Sequence, residues 1–159
     1  MDEFSIRPAR VEDTRRIGAV GHQAWLKGIC PYVCPEVRER IAPKTFELFA
    51  RTHTNQVIVA EGDGNLFGFA ATEDGDNYIS DLWVAPDFEG YGIGTALLSA
   101  LEEIIADRGY GTARLEVLTD NQRAVSLYRY LGYRIVRQGM RKDKVLCVTL
   151  HKTLMQKAV

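Results

Sequence analysis

The chain has 159 residues, 46% of them hydrophobic and 26% charged, with 20 basic and 21 acidic side chains for a formal net charge of −1. That length and apolar content suit one domain with a buried core, residues 1–159, and argue against disorder. The near-neutral balance lacks the basic excess of a general nucleic-acid binder. Residues 1–10 have no basic stretch running into an apolar one, and no apolar run is long enough to cross a bilayer. The expected address is therefore the cytoplasm, with no membrane association. Three cysteines, Cys30, Cys34 and Cys147, are too few and too odd in number for a disulfide framework. Cys30 and Cys34 are expected as small half-buried thiols, and no metal is expected, because a structural zinc needs four ligands.

Residues 4–8 read as a short strand. Asp13 and Thr14 mark a helix start, and Ile17, Val20 and Ala24 recur at helical spacing to about Lys27. Residues 28–35, rich in Pro, Cys and Tyr, interrupt the chain, and a second helix covers 36–50 with a break near Pro43. Strands at 57–60 and 66–72 flank a Gly-Asp-Gly-Asn turn whose residues tolerate positive φ. After a turn at 73–77, residues 78–84 complete a three-strand meander. A helix over 91–108 carries Ile93, Leu97, Ala100, Leu101, Ile104 and Ile105 on the helical period and ends at Gly109 and Gly111. A strand at 114–118 precedes a helix over 122–131, with Asp120 or Asn121 as N-cap and Gly132 as its stop. Strands at 133–139 and 145–150 close the chain. The order predicts an α/β (α+β) fold: a mixed sheet with helices on its faces.

The segment from Asp81 to Leu98 carries the most chemistry. A strand runs into a turn with glycines at 90, 92 and 94, and an amphipathic helix starts there. Glycines let a ligand approach the backbone, and the unpaired N–H groups and dipole of a helix start favour an anion. No Lys-Ser/Thr pair follows the glycines, so this is no P-loop. Their spacing and their place after a meander do not fit a dinucleotide-binding βαβ unit.

Val84-Ala85-Pro86 followed by Gly92-Ile93-Gly94, and then Asn121, Ala124, Tyr128, Gly132 and Tyr133 at their relative spacing, resemble the two hallmark motifs of the GNAT superfamily of N-acetyltransferases. The resemblance spans nearly the whole chain and is most specific from Tyr78 to Tyr133. It implies a mostly antiparallel sheet of seven strands, splayed between the fourth and fifth, and acetyl-CoA as cosubstrate. Backbone groups of Leu82, Trp83 and Val84 would hold the pantetheine arm. Gly90, Tyr91, Gly92, Ile93, Gly94 and Thr95 would hold the pyrophosphate, and Asn121 would contact the cofactor near the splay. Glu89 stands where the family usually has Gln or Arg, and is expected to point away while the amides bind.

Acetyl transfer to an amine needs a base for the ammonium, a donor for the oxyanion and an acid for the leaving thiolate. The resemblance assigns the acid to Tyr128, which also belongs to the cofactor set, and the base to Glu116 first or Asp81 second, either one acting directly or through water. Trp25 and Tyr32 would line the acceptor site or belong to the core, Asp74, Asp76 and Asp81 would attract a cationic amine or serve as turn residues, and Arg137, Arg141, Lys142 and Lys144 would form a solvated last hairpin or meet a phosphate or acidic acceptor. The acceptor is a small-molecule amine or a peptide or protein N-terminus, and homodimers through sheet edges fit the family pattern. A non-catalytic acetyl-CoA sensor, or a phosphate-binding interaction domain, would keep the glycines without needing an acid or a base.

Overall fold

The computed structural model describes residues 3–159. Strand β1 (Ser5–Pro8) leads through a 3-10 turn into α1 (Thr14–Gly28). Ile17, Val20 and Ala24 face the core, as their spacing predicts. The expected second helix is two pieces, α2 (Pro35–Arg38) and α3 (Pro43–Thr52). Pro43 takes the first turn of α3, where its missing N–H costs nothing. A Cβ on Gly21 would stand 2.5 Å from the Phe46 ring, so glycine is what lets α3 lie this close to α1.

Strands β2 (Val57–Gly62) and β3 (Asn65–Thr72) form a hairpin whose turn residues Asp63 and Gly64 both take positive φ, 51° and 76°. Strand β4 (Tyr78–Val84) completes the meander. Helix α4 runs from Ile93 to Asp107 and begins two residues later than its hydrophobic pattern predicts, because Gly92 is left-handed, with φ 82°. Strand β5 (Thr112–Leu118), helix α5 (Gln122–Tyr130) and the hairpin of β6 (Arg134–Asp143) with β7 (Val148–Ala158) follow. Both last strands outrun their predicted limits. Among the described residues seven strands are ordered β1-β2-β3-β4-β5-β7-β6, and only β4 and β5 are parallel neighbours.

One apolar cluster lies on the α1–α3 face of this sheet, with Ile17, Trp25, Phe46 and Phe69. A second lies on the α4–α5 face, with Phe67, Leu97, Ile105 and Met155. Buried Asp13 ties the first elements together: Arg7 grips it at 2.8 and 3.0 Å, Arg16 at 2.8 Å, and the Arg10 N–H donates to it at 2.7 Å. Arg7 also holds Glu61 of β2 at 2.6 Å.

A bulge in β4 positions the site. Ala71 faces Asp81 while Thr72 faces Ile79, so Ser80 is an extra residue without a partner on β3. Such a bulge bends its strand. Beyond it β4 leaves β5: the two pair only at Tyr78–Arg114 and Ile79–Leu115. No described helix is long and apolar enough to cross a membrane.

Candidate active site

Where β4 and β5 part, a cavity of about 800 Å³ opens. Leu82, Trp83 and Val84 line it with one backbone edge unpaired, while Glu116, Val117 and Leu118 line it from β5. Asn121, Ala124 and Tyr128 enter from α5, and Trp25, Phe46 and Phe49 from α1 and α3. The cavity thus gathers both candidate carboxylates, the candidate acid, and the backbone edge expected to hold a pantetheine arm.

The turn into α4 has the character of an anion cradle. Gly90 and Gly92 take φ 83° and 82°, and a Cβ on either would meet no atom of the described residues within 4 Å. Among the described residues no side chain caps α4, and its first helical bond is Ala96 N–H to Gly92 O at 3.0 Å. The N–H groups of Ile93, Gly94 and Thr95 therefore lack helical acceptors. The Ile93 side chain is buried in the core below, so only its backbone can serve a ligand. Such open, amide-lined space fits the pyrophosphate of coenzyme A. Asn121 caps α5 by accepting from Ala124 N–H at 3.2 Å, which decides between the two predicted caps. Glu89 lines the cavity and is held by Lys27 Nζ at 2.6 Å.

The ionisable groups are differently supported. Asp81 accepts from Trp83 Nε1 at 3.0 Å and from Ser80 Oγ at 2.8 Å. Burial raises its proton affinity above the usual aspartate range, and those two hydrogen bonds oppose the rise. Glu116 lies 3.6 Å from Arg141, with a side chain 11% exposed. The Tyr128 ring packs edge-on against Tyr133 at 5.8 Å, and burial pushes its phenol up to about 12.

Two expectations fail. Tyr32 is exposed and outside the cavity lining: its 3-10 turn buries none of its own residues, and the core positions fall to Val33 after it and Val37 of α2. Cys34 is exposed rather than half-buried. Trp25 does line the cavity, though mainly as core, at 4% exposure. Asp74 lines it, while Asp76 instead pairs with Arg114 at 3.3 Å. Sequence reading missed Tyr78, His53, Phe46 and Phe49, all in the lining. Burial first, then the charges of Glu116 and Glu73, raise the Tyr78 phenol well above its ordinary value. No local motif marks these four, because separate elements carry them to the cavity.

This arrangement, a bulged β4 parting from β5 beside a glycine-rich helix start, is that of the GNAT fold. The structure superposes on a GCN5-related N-acetyltransferase from Rhodopseudomonas palustris with a TM-score of 0.83 and 24% identity, covering 100% of this chain and 98% of that one. It also superposes on the PaiA N-acetyltransferase of Thermoplasma acidophilum in complex with coenzyme A, with a TM-score of 0.74 and 20% identity, covering 99% of each chain. Residues 23–133 match the acetyltransferase (GNAT) family, to which the chain belongs. A mouse thialysine N-epsilon-acetyltransferase is 33% identical over 87 residues, 54% of this chain and 51% of that protein. The match thus spans about half the length of that relative.

Proposed function

We propose that the protein is an N-acetyltransferase that moves an acetyl group from acetyl-CoA to a primary amine, with residues 1–159 acting as one acetyltransferase domain. The observation that carries this reading is the unpaired edge of Leu82, Trp83 and Val84, which opens into the same cavity as Glu116, Asp81 and Tyr128. Acetyl-CoA supplies the thioester and the thiolate leaving group. The chain binds its phosphates at the amides of residues 90–95 and its pantetheine arm along β4. An N–H on that edge faces negative charge as it develops on the acetyl oxygen. Tyr128 donates its proton to the leaving sulfur.

Glu116 takes the proton of the incoming ammonium through a water. A second reading gives that role to Asp81, and the raised proton affinity of its buried carboxylate favours it. The acceptor is a small amine or the amine of a peptide or protein N-terminus. The thialysine activity named for the mouse relative supports the small-amine half of that range.

Calorimetric titration with acetyl-CoA, followed by thiol release across a panel of amines and peptides, tests the proposal. Saturable binding with amine-dependent release is expected, and the best amine identifies the acceptor class. Binding without turnover on any amine would make the protein a sensor and reduce Tyr128 and Glu116 to packing. No binding would end the reading.

A further inference from the structure

No Lys, Arg or His occurs between His53 and Arg108, so the segment that forms the anion cradle brings no cation of its own. It carries instead a carboxylate, Glu89, immediately before Gly90, and a bare carboxylate there repels a phosphate. The structure answers that repulsion from another element. Lys27, on the last turn of α1, places its ammonium 2.6 Å from Glu89 Oε2. One residue further, the Gly28 carbonyl accepts from Asn121 Nδ2 at 3.5 Å. The end of α1 therefore reaches both the turn before α4 and the start of α5.

Four of the basic side chains in the cavity lining are paired with carboxylates, while Lys142 lines the cavity from β6, away from the α4 turn in the sequence. Arg114 pairs with Asp76, Arg141 with Glu116, Lys144 with Glu73 and Lys152 with Asp143. The Lys27–Glu89 pair does little for the fold, since its side chains are 51% and 37% exposed.

We propose that Lys27 is a binding residue for the diphosphate of the acetyl donor, held over the α4 turn by Glu89. This rests on the reading of the cavity as an acetyl-CoA site. Glu89 uses one of the three ammonium donors, which leaves the others for phosphate oxygens, and the pair presents no net negative charge to them.

Calorimetry with coenzyme A and with dephospho-coenzyme A, which keeps the diphosphate and lacks the 3′-phosphate, tests this. Lys27→Ala is expected to weaken both ligands equally, by about tenfold at low salt, as loss of one charge-assisted contact does. The loss should shrink at about 0.5 M salt, where the Debye length is short. Lys27→Arg should keep most of the affinity, and thermal melting should not move. Glu89→Gln should bind as well as the native protein or up to about threefold more tightly, since Gln still accepts from Lys27 without the negative charge. Lys27→Ala binding both ligands like the native protein would overturn the proposal. So would a loss seen with coenzyme A alone, or a large loss in Glu89→Gln. Failure of the native protein to bind coenzyme A would overturn the cavity's assignment, and this role with it.

Discussion

Arg141 of β6 reaches across β7 to within 3.6 Å of Glu116 on β5. The same hairpin sends Lys144 to within 3.9 Å of Glu73, so two carboxylates of the cavity already have cations beside them. An incoming ammonium must compete with both. If Glu116 is the base, Glu116→Gln should lower kcat/KM by about 100-fold or more while coenzyme A binding is kept. Activity kept in Glu116→Gln, with a loss of that size in Asp81→Asn, would transfer the role to Asp81.

Tyr128 and Tyr133 stack edge to face, yet their hydroxyls are used differently. Tyr133 Oη donates to Glu102 at 2.9 Å, while the Tyr128 hydroxyl has no hydrogen-bond partner among the described residues. Tyr128→Phe should therefore melt like the native protein while kcat falls by about 100-fold. Tyr133→Phe should do the reverse, losing about 1–2 kcal/mol of stability as the Glu102 carboxylate keeps only Lys157 as its remaining partner, with kcat retained. Because burial pushes the Tyr128 phenol up to about 12, it stays a proton donor through neutral and mildly alkaline pH. The pH profile of kcat should then show no descending limb from this group below about pH 10. Thermal melts and steady-state rates on the two variants separate the roles.

Gly92 has φ 82° and an open space where a Cβ would stand. Gly92→Ala should cost about 1–2 kcal/mol for the left-handed conformation alone. The added methyl would also enter the space assigned to the pyrophosphate. Coenzyme A affinity should therefore fall by more than about tenfold in protein that is still folded, which calorimetry beside a melting curve would register. An unchanged affinity would remove the phosphates from this turn.

The parts legible in the sequence were those whose signal is local. The spacing of Ile93, Leu97, Leu101 and Ile105 marks one helix face, and all four are buried. Asn121 three residues before Ala124 is an N-cap geometry that any helix start rewards. The β4–β5 splay followed from family resemblance, while its cause, the unpaired Ser80, is visible only in the register with β3. Tyr32 misled because an aromatic in a loop carries no sign of which way its turn will face. The length of β7 was hidden by its polar residues: of its eleven positions only Thr153 and Met155 are fully buried, so its C-terminal half lacks an apolar run. That extra length sets where the β6–β7 turn falls, and with it the meeting of Arg141 and Lys144 with carboxylates far away in the chain.

Asp13 offers a test of stability that is independent of the cavity. Its carboxylate is 1% exposed and is bonded by Arg7, Arg16 and the Arg10 N–H, which together hold it well below the usual aspartate range, the Arg7 contact contributing most. A group whose proton affinity falls on folding stabilises the folded state fully above its unfolded value, about pH 4. That contribution drains away as pH drops below it, since the unfolded chain takes up the proton first. Asp13→Asn should cost about 3 kcal/mol at neutral pH, because two arginines lose a buried partner. The difference in melting temperature between the native protein and the variant should be constant above about pH 5 and close steadily toward pH 2. A gap that stays constant down to acid pH would mean that the carboxylate's charge is not what holds β1, α1 and β2 together.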